Sequence, residues 1–175
     1  MNSSEFFDFL FTRSSVRDFT ELEIEDEEIQ YILKCARTAP SAGNRESWDV
    51  VIVTDEGIRE DLADAAFGQE HIKKAPVILV VCTNYVRSMS QYGERGILYA
   101  MEDATIASTY MMLAAHSLRL QTCWTGAFDD ETVCEILDLP QHARPVALLA
   151  VGHGNLPEYR SERMPLEEHV HEETW

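Results

Sequence analysis

The sequence predicts an α+β fold, a mixed sheet with helices on both faces, and three observations predict it. Helical patterns come first, and the later strands are separated by further helices. Val50-Val51-Ile52-Val53 and Val77-Ile78-Leu79-Val80-Val81-Cys82 are short apolar, β-branched runs of the kind that form buried strands. One stretch, residues 94–119, is rich in Ala, Met, Leu and Thr and reads as a single long helix.

Each element has a local cause. Residues 2–12, with Phe6-Phe7-Asp8-Phe9-Leu10-Phe11 at their centre, read as an amphipathic first helix. A second helix follows the acidic Glu25-Asp26-Glu27-Glu28, carries Ile29, Ile32, Leu33 and Ala36 at helical spacing, and is stopped by Pro40. The first long strand covers 50–53 and ends at Thr54-Asp55; a helix spans 56–66, and Pro76 introduces the strand 77–82. The long helix is apolar around most of its circumference from Ala104 to Leu118, so it needs cover on more than one side. A dimer interface supplies that cover, and a central core helix in a monomer is the alternative. A strand at 122–125, a helix from the N-cap Asp129 to Leu139, and a strand at 145–151 closed by Gly152 complete the pattern. From Asn155 the chain is polar, holds Pro157 and Pro165, and has no periodicity. Such a tail cannot stabilise itself, and Leu166, Val170 and Trp175 suggest that it docks on another surface.

At 175 residues the chain is read as one domain, 1–175. A net charge of −17 disfavours nucleic acid and anionic membranes as partners, because phosphate backbones reward clustered cations. No apolar run approaches the ~20 residues that span a bilayer. Glu5 and Asp8 stand where a signal peptide has basic residues, so the expected location is the cytoplasm. Cys35, Cys82, Cys123 and Cys134 sit in apolar stretches without paired spacing and read as buried thiols. His169-x-His171 lacks the companions of a metal site, and no metal is expected. Lysine occurs only at 34, 73 and 74, so nearly all positive charge is arginine, and where arginines gather an anion is held.

Three stretches concentrate chemistry. Arg13-Ser14-Ser15-Val16-Arg17 puts two guanidinium forks and two hydroxyls within five residues, suited to phosphate and ribityl oxygens or, taken alone, to a solvated turn. Ala39-Pro40-Ser41-Ala42-Gly43-Asn44, followed by Trp48, lets backbone approach a flat ligand, with Ser41 and Asn44 adding donors and acceptors; an ordinary turn is the plainer reading. Cys123-Trp124-Thr125-Gly126-Ala127-Phe128 carries a strand end into a glycine turn with exposed N–H groups.

In order along the chain, these stretches and Ala75-Pro76, Tyr92-Gly93-Glu94-Arg95, Asp103, Arg144-Pro145-Val146-Ala147 and Arg163-x-Pro165-Leu166-Glu167-Glu168 resemble the nitroreductase superfamily of FMN enzymes. The resemblance covers essentially the whole chain. It implies a three-layer α+β fold with a mostly antiparallel central sheet, and a homodimer whose C-terminal extensions, here 155–175, wrap the partner. It implies FMN at the interface, reduced by NADH or NADPH in alternation with a small oxidant such as a nitroaromatic or quinone. Carried across, Arg13, Ser14, Ser15 and Arg17 contact phosphate, ribityl and the N1–O2 edge of the flavin. Pro40 and Ser41 come from the partner chain and line the ring and phosphate, and Asn44 joins the cofactor contacts; Thr125 and Gly126 present N–H groups toward N5 and O4. Arg163 returns to the phosphate with Arg160 beside it, and Gln69, in the loop before the second long strand, touches the pyrimidine end. Tyr92, Glu94 and Arg95 are candidate lid residues over the substrate. No side chain stands out as a catalytic acid, and no G-x-G-x-x-G is present, so the nicotinamide is expected to bind transiently over the flavin.

The chain departs from the family pattern at several points. Glu46-Ser47-Trp48 replaces a common Gln-Pro before the Trp, Thr109-Tyr110 stand for Gln-Asn, and Ser161 takes a position often basic. Arg119 sits where Gly usually ends the long helix and calls for an unusual cap. The same fold also serves reductive dehalogenation, flavin-consuming chemistry and flavin binding without turnover, and the sequence leaves these open.

Overall fold

In the computed structural model, which describes residues 1–159 and 161–175, the chain runs α1 (Ser3–Thr12), β1 (Asp18–Phe19), α2 (Asp26–Ala36), a 3-10 turn at Ala42–Asn44 and β2 (Trp48–Val53). It continues through α3 (Glu56–Ala65), α4 (Glu70–Lys74), β3 (Val77–Asn84), α5 (Tyr85–Tyr92) and α6 (Arg95–Ser117). Then come β4 (Gln121–Thr125), α7 (Asp130–Ile136), β5 (Ala143–Gly152), β6 (Gly154–Asn155) and a 3-10 turn at Leu166–Glu168.

β2, β3, β5 and β4 lie in that order in a four-stranded sheet, every ladder antiparallel, and β1 pairs with β6 apart from it. The mixed character expected of the sheet is confined to one parallel bridge, Ser15 to Thr122. All eight residues of β3 are buried, and strand alternation deals them to two cores. Ile78, Val80 and Cys82, with Leu148 and Ala150 of β5, pack against Leu62, Ile72 and Val133 from α3, α4 and α7. Val77, Leu79 and Val81, with Leu149 and Val151, pack against Ile29 and Ile32 of α2 and Ala104, Ala107 and Met111 of α6. Helix–sheet–helix layering follows from that alternation.

Several boundaries move from their predicted places, each for a local reason. The long helix starts at Arg95, after a separate α5 over 85–92 that no pattern in the sequence predicts. A Cβ on Gly96 would come within 2.7 Å of the α5 backbone at Ser88 and Met89, so the glycine lets the two helices touch. Gln69 lies in the loop after α3, where it is the N-cap of a short α4 that the sequence does not predict. α7 ends at Ile136, short of Leu139, where Asp138 turns left-handed. Arg119 does form an unusual cap, at φ 62°, with Arg119 N–H donating to the His116 carbonyl and Leu120 N–H to the Ala115 carbonyl.

Two segments stand off the cores. α1 has no buried residue, and Phe6, Phe7 and Leu10 are 47%, 64% and 39% exposed along one stripe. It touches the body through Phe9, whose ring lies 4.8 Å from that of His116. The tail is exposed at every described residue from Asn155 on. No helix among the described residues is long and apolar enough to cross a membrane.

Candidate functional site

The segment after α1 is laid along β4: Val16 N–H donates to the Thr122 carbonyl at 2.9 Å, and Ser15 bridges Thr122. Extended backbone alternates its side chains, so burying Val16, 1% exposed, turns Arg13, Ser15 and Arg17 to the opposite side. The spacing of the Arg-x-Ser-x-Arg motif is thereby explained, and Ser14 falls on Val16's side of the run.

Three arginines converge there. Burial first, and then the charge of Arg163, hold the Arg13 guanidinium below its ordinary range, so the tail brings a second cation up to it. Both Arg17 and Arg13 act on Cys123: burial, the larger effect, raises its thiol while the two cations pull it down. Among the described residues none of Arg13, Arg17 and Arg163 forms an ion pair with a carboxylate. In a chain with 31 acidic residues, cations close to one another without an acidic partner are a candidate anion site. Arg160, expected to reinforce it, lies outside the described residues.

Next to these cations β4 ends at Thr125, buried, and Gly126, exposed. Gln69 donates through Nε2 to the Ala127 carbonyl at 3.1 Å, tying the start of α4 to the turn after β4. His71, not singled out in the sequence, stands 2.8 Å through Nε2 from the Thr125 hydroxyl and is 5% exposed. Burial and then Arg17 push its imidazole below the ordinary range, so it is neutral at pH 7. No local pattern announces this histidine; it becomes informative only once α4 is folded against β4.

The other predicted residues lie elsewhere. Pro40, Ser41 and Asn44 precede β2, on the opposite edge of the sheet from β4, three strand steps or about 14 Å away. Their loop is held from every side. Ser41 Oγ accepts the Glu46 N–H at 3.0 Å, and Arg87 of α5 donates to the Glu46 and Trp48 carbonyls at 2.8 and 2.9 Å. Arg45 donates to the Arg87 carbonyl at 3.0 Å and to Ser90 Oγ at 2.8 Å. Asp103 accepts two of the loop's amide protons. Tyr92 and Arg95 belong to this side: a Cβ on Gly43 would collide with the Tyr92 hydroxyl, Tyr92 packs edge-on against Tyr99 at 4.9 Å, and Arg95 donates to the Tyr99 hydroxyl at 2.7 Å. Glu94 is the exposed N-cap of α6. The four cysteines are unpaired, with burial pushing Cys82 up to about 12. No group of His, Cys, Asp or Glu among the described residues is arranged to hold a metal.

FMN is the group the sequence implies, and the donor set fits it: a multi-arginine anion site, adjoining N–H groups of a glycine turn, and a neutral rather than cationic histidine beside them.

Residues 10–70 and 65–153 match the family model described as nitroreductase family. An NADH dehydrogenase of Thermus thermophilus is 31% identical, with 89% of each chain covered. The FMN reductase [NAD(P)H] of Bacillus subtilis is 29% identical over 92% of this chain and 70% of its own length. Among solved structures, NfrA2 of B. megaterium superposes with a TM-score of 0.91 at 28% identity, covering all of this chain and 76% of that one.

Proposed function

The chain belongs to the nitroreductase family, and we propose that it is an FMN-dependent oxidoreductase that takes electrons from NADH or NADPH and delivers them to a small oxidant such as a nitroaromatic or quinone. The observation that carries this reading is the group of Arg13, Arg17 and Arg163, which have no carboxylate partner among the described residues of a strongly acidic protein. FMN brings a phosphate of about −2 charge, which that repulsive surface admits only where cations outnumber acids. The relatives named as an FMN reductase and an NADH dehydrogenase support the same cofactor and donor.

In this reading the single domain 1–175 works as a homodimer. Arg13 and Arg163, with Arg160, hold the phosphate; Ser15 faces the ribityl chain and Arg17 the N1–O2 edge, while Ser14, on Val16's side of the run, is left out of the contact set. The N–H groups at Thr125 and Gly126 point to N5 and O4, and Gln69 to the pyrimidine end. Neutral His71 holds the Thr125 hydroxyl and so fixes the strand end. Pro40, Ser41 and Asn44 complete the site from a second copy, because three strand steps separate them from Arg13 within one chain. The apolar stripe of α1 and the exposed tail supply the surface and the arm for that copy. Tyr92, Glu94 and Arg95 come with the same loop and border the substrate. Bound FMN supplies the electron transfer itself; the protein orients it, and Arg17 stabilises negative charge developing at its N1–O2 edge.

The test is spectroscopic. Purified protein given FMN is expected to stay yellow through gel filtration, to bleach when mixed with NADH or NADPH without oxygen, and to recover its colour with menadione or nitrofurazone. Yellow protein that neither nucleotide bleaches would contradict the reading.

A further inference from the structure

Among the described residues Asp103 is the one buried carboxylate, 1% exposed in the middle of α6, and nothing proposed above uses it. Its two oxygens do different work. Oδ1 accepts the Ala42 N–H at 2.8 Å, and Oδ2 accepts the Ser47 N–H at 3.1 Å. The two anchored amides bracket a loop in an unfavourable conformation: Gly43, Asn44 and Glu46 all have left-handed backbone, at φ 55°, 56° and 47°. Such a loop persists only when its surroundings over-determine it. A carboxylate suits both positions because it is acceptor-only on both oxygens; an amide would turn an NH₂ toward one of the N–H groups.

We propose that Asp103 is the positioning residue of the Pro40–Asn44 loop. It presents Pro40, Ser41 and Asn44 to the flavin of the other subunit, acts wholly through the loop backbone, and touches no ligand. The proposal rests on the two-chain FMN site above. Its consequence is directional: damage at Asp103 weakens the flavin site whose arginines belong to the partner, and leaves intact the arginine half carried on its own chain.

The experiment reads FMN binding, not turnover. Apo D103N is titrated with FMN and is expected to bind about tenfold more weakly or worse, the loss of one charged hydrogen bond and a repulsive contact, while remaining helical and dimeric. A42P, which removes one donor at a first-turn position where proline is tolerated, is expected to weaken FMN in the same direction and carries the test if D103N fails to fold. D103N is then co-expressed with R13A/R163A under two affinity tags, and doubly tagged dimers are isolated. One of the two sites in that mixed dimer has intact arginines facing an intact loop, so half the wild-type FMN is expected to bind at wild-type affinity. Wild-type affinity in D103N overturns the proposal, and so does a mixed dimer with no recovered site, which would mean that the damage spreads through its own chain. If R13A/R163A itself keeps FMN, the proposed arginine phosphate site falls and the proposal built on it falls too; if that variant loses FMN and D103N does not, this proposal alone falls.

Discussion

The arginine half and the loop half of the candidate site are built on opposite plans. On the β4 edge Arg13, Arg17 and Arg163 converge with no carboxylate to answer them among the described residues, so that half is electrostatically unfinished. On the β2 edge the loop is finished: Asp103, Arg87 and Ser41 hold its backbone amides and carbonyls, and Arg45 ties it to α5. The first half is left with uncompensated cations, whereas the second is densely hydrogen-bonded. In the proposed FMN site the difference means that affinity and shape come from separate parts of the chain, which a second copy would bring together.

If that division is right, separating the subunits does the greatest damage. Phe7→Glu with Leu10→Glu puts two carboxylates on the exposed α1 stripe, and dimer dissociation is expected to rise by about a hundredfold or more, with FMN lost in parallel; sedimentation against flavin absorbance checks both. A monomer that kept its FMN would show that one chain suffices. A smaller effect is expected at Gly43, where φ is 55° and an added Cβ meets the Tyr92 hydroxyl. Gly43→Ala forces a left-handed alanine, costing about 1–2 kcal/mol and roughly 3 °C in Tm per kcal/mol, with FMN a few-fold weaker and the arginine half untouched.

The smallest effect is a pH slope. The His71 imidazole sits below its ordinary value because burial and Arg17 disfavour its charged form. Below the unfolded value of about 6.5, the unfolded chain therefore takes up a proton that the folded chain refuses. Stability is full above that value and falls with pH until the lower folded value is reached. Urea unfolding at pH 7.5 and 5.5 is expected to show a smaller drop for His71→Gln than for the parent protein, and an equal drop would contradict the assignment.

Much of this was legible in the sequence where periodicity and burial agree. β3 and β5 read correctly because residues buried on both faces leave unbroken apolar runs. The spacing of the Arg-x-Ser-x-Arg segment follows from the alternation that buries Val16 against β4. α5 was invisible: Tyr85–Tyr92 buries only Ser88, so no apolar stripe marks it, and its purpose is to hold a loop forty residues earlier. α4 was too short for a helical period to register, and His71 went unnoticed with it. Asp103 was recognisable as part of a pattern, but its two bonds to Ala42 and Ser47 span a sequence distance that no local motif encodes.

The arginine site is tested most directly by titrating the apoprotein with FMN and with riboflavin, which differ only by the phosphate. Arg13 and Arg163 as phosphate ligands require FMN to bind about a hundredfold or more tightly than riboflavin, as charge-assisted bidentate bonds allow, and require R13A/R163A to abolish that preference. Equal binding of the two flavins by the parent protein, or a preference that survives the double substitution, would place the phosphate elsewhere.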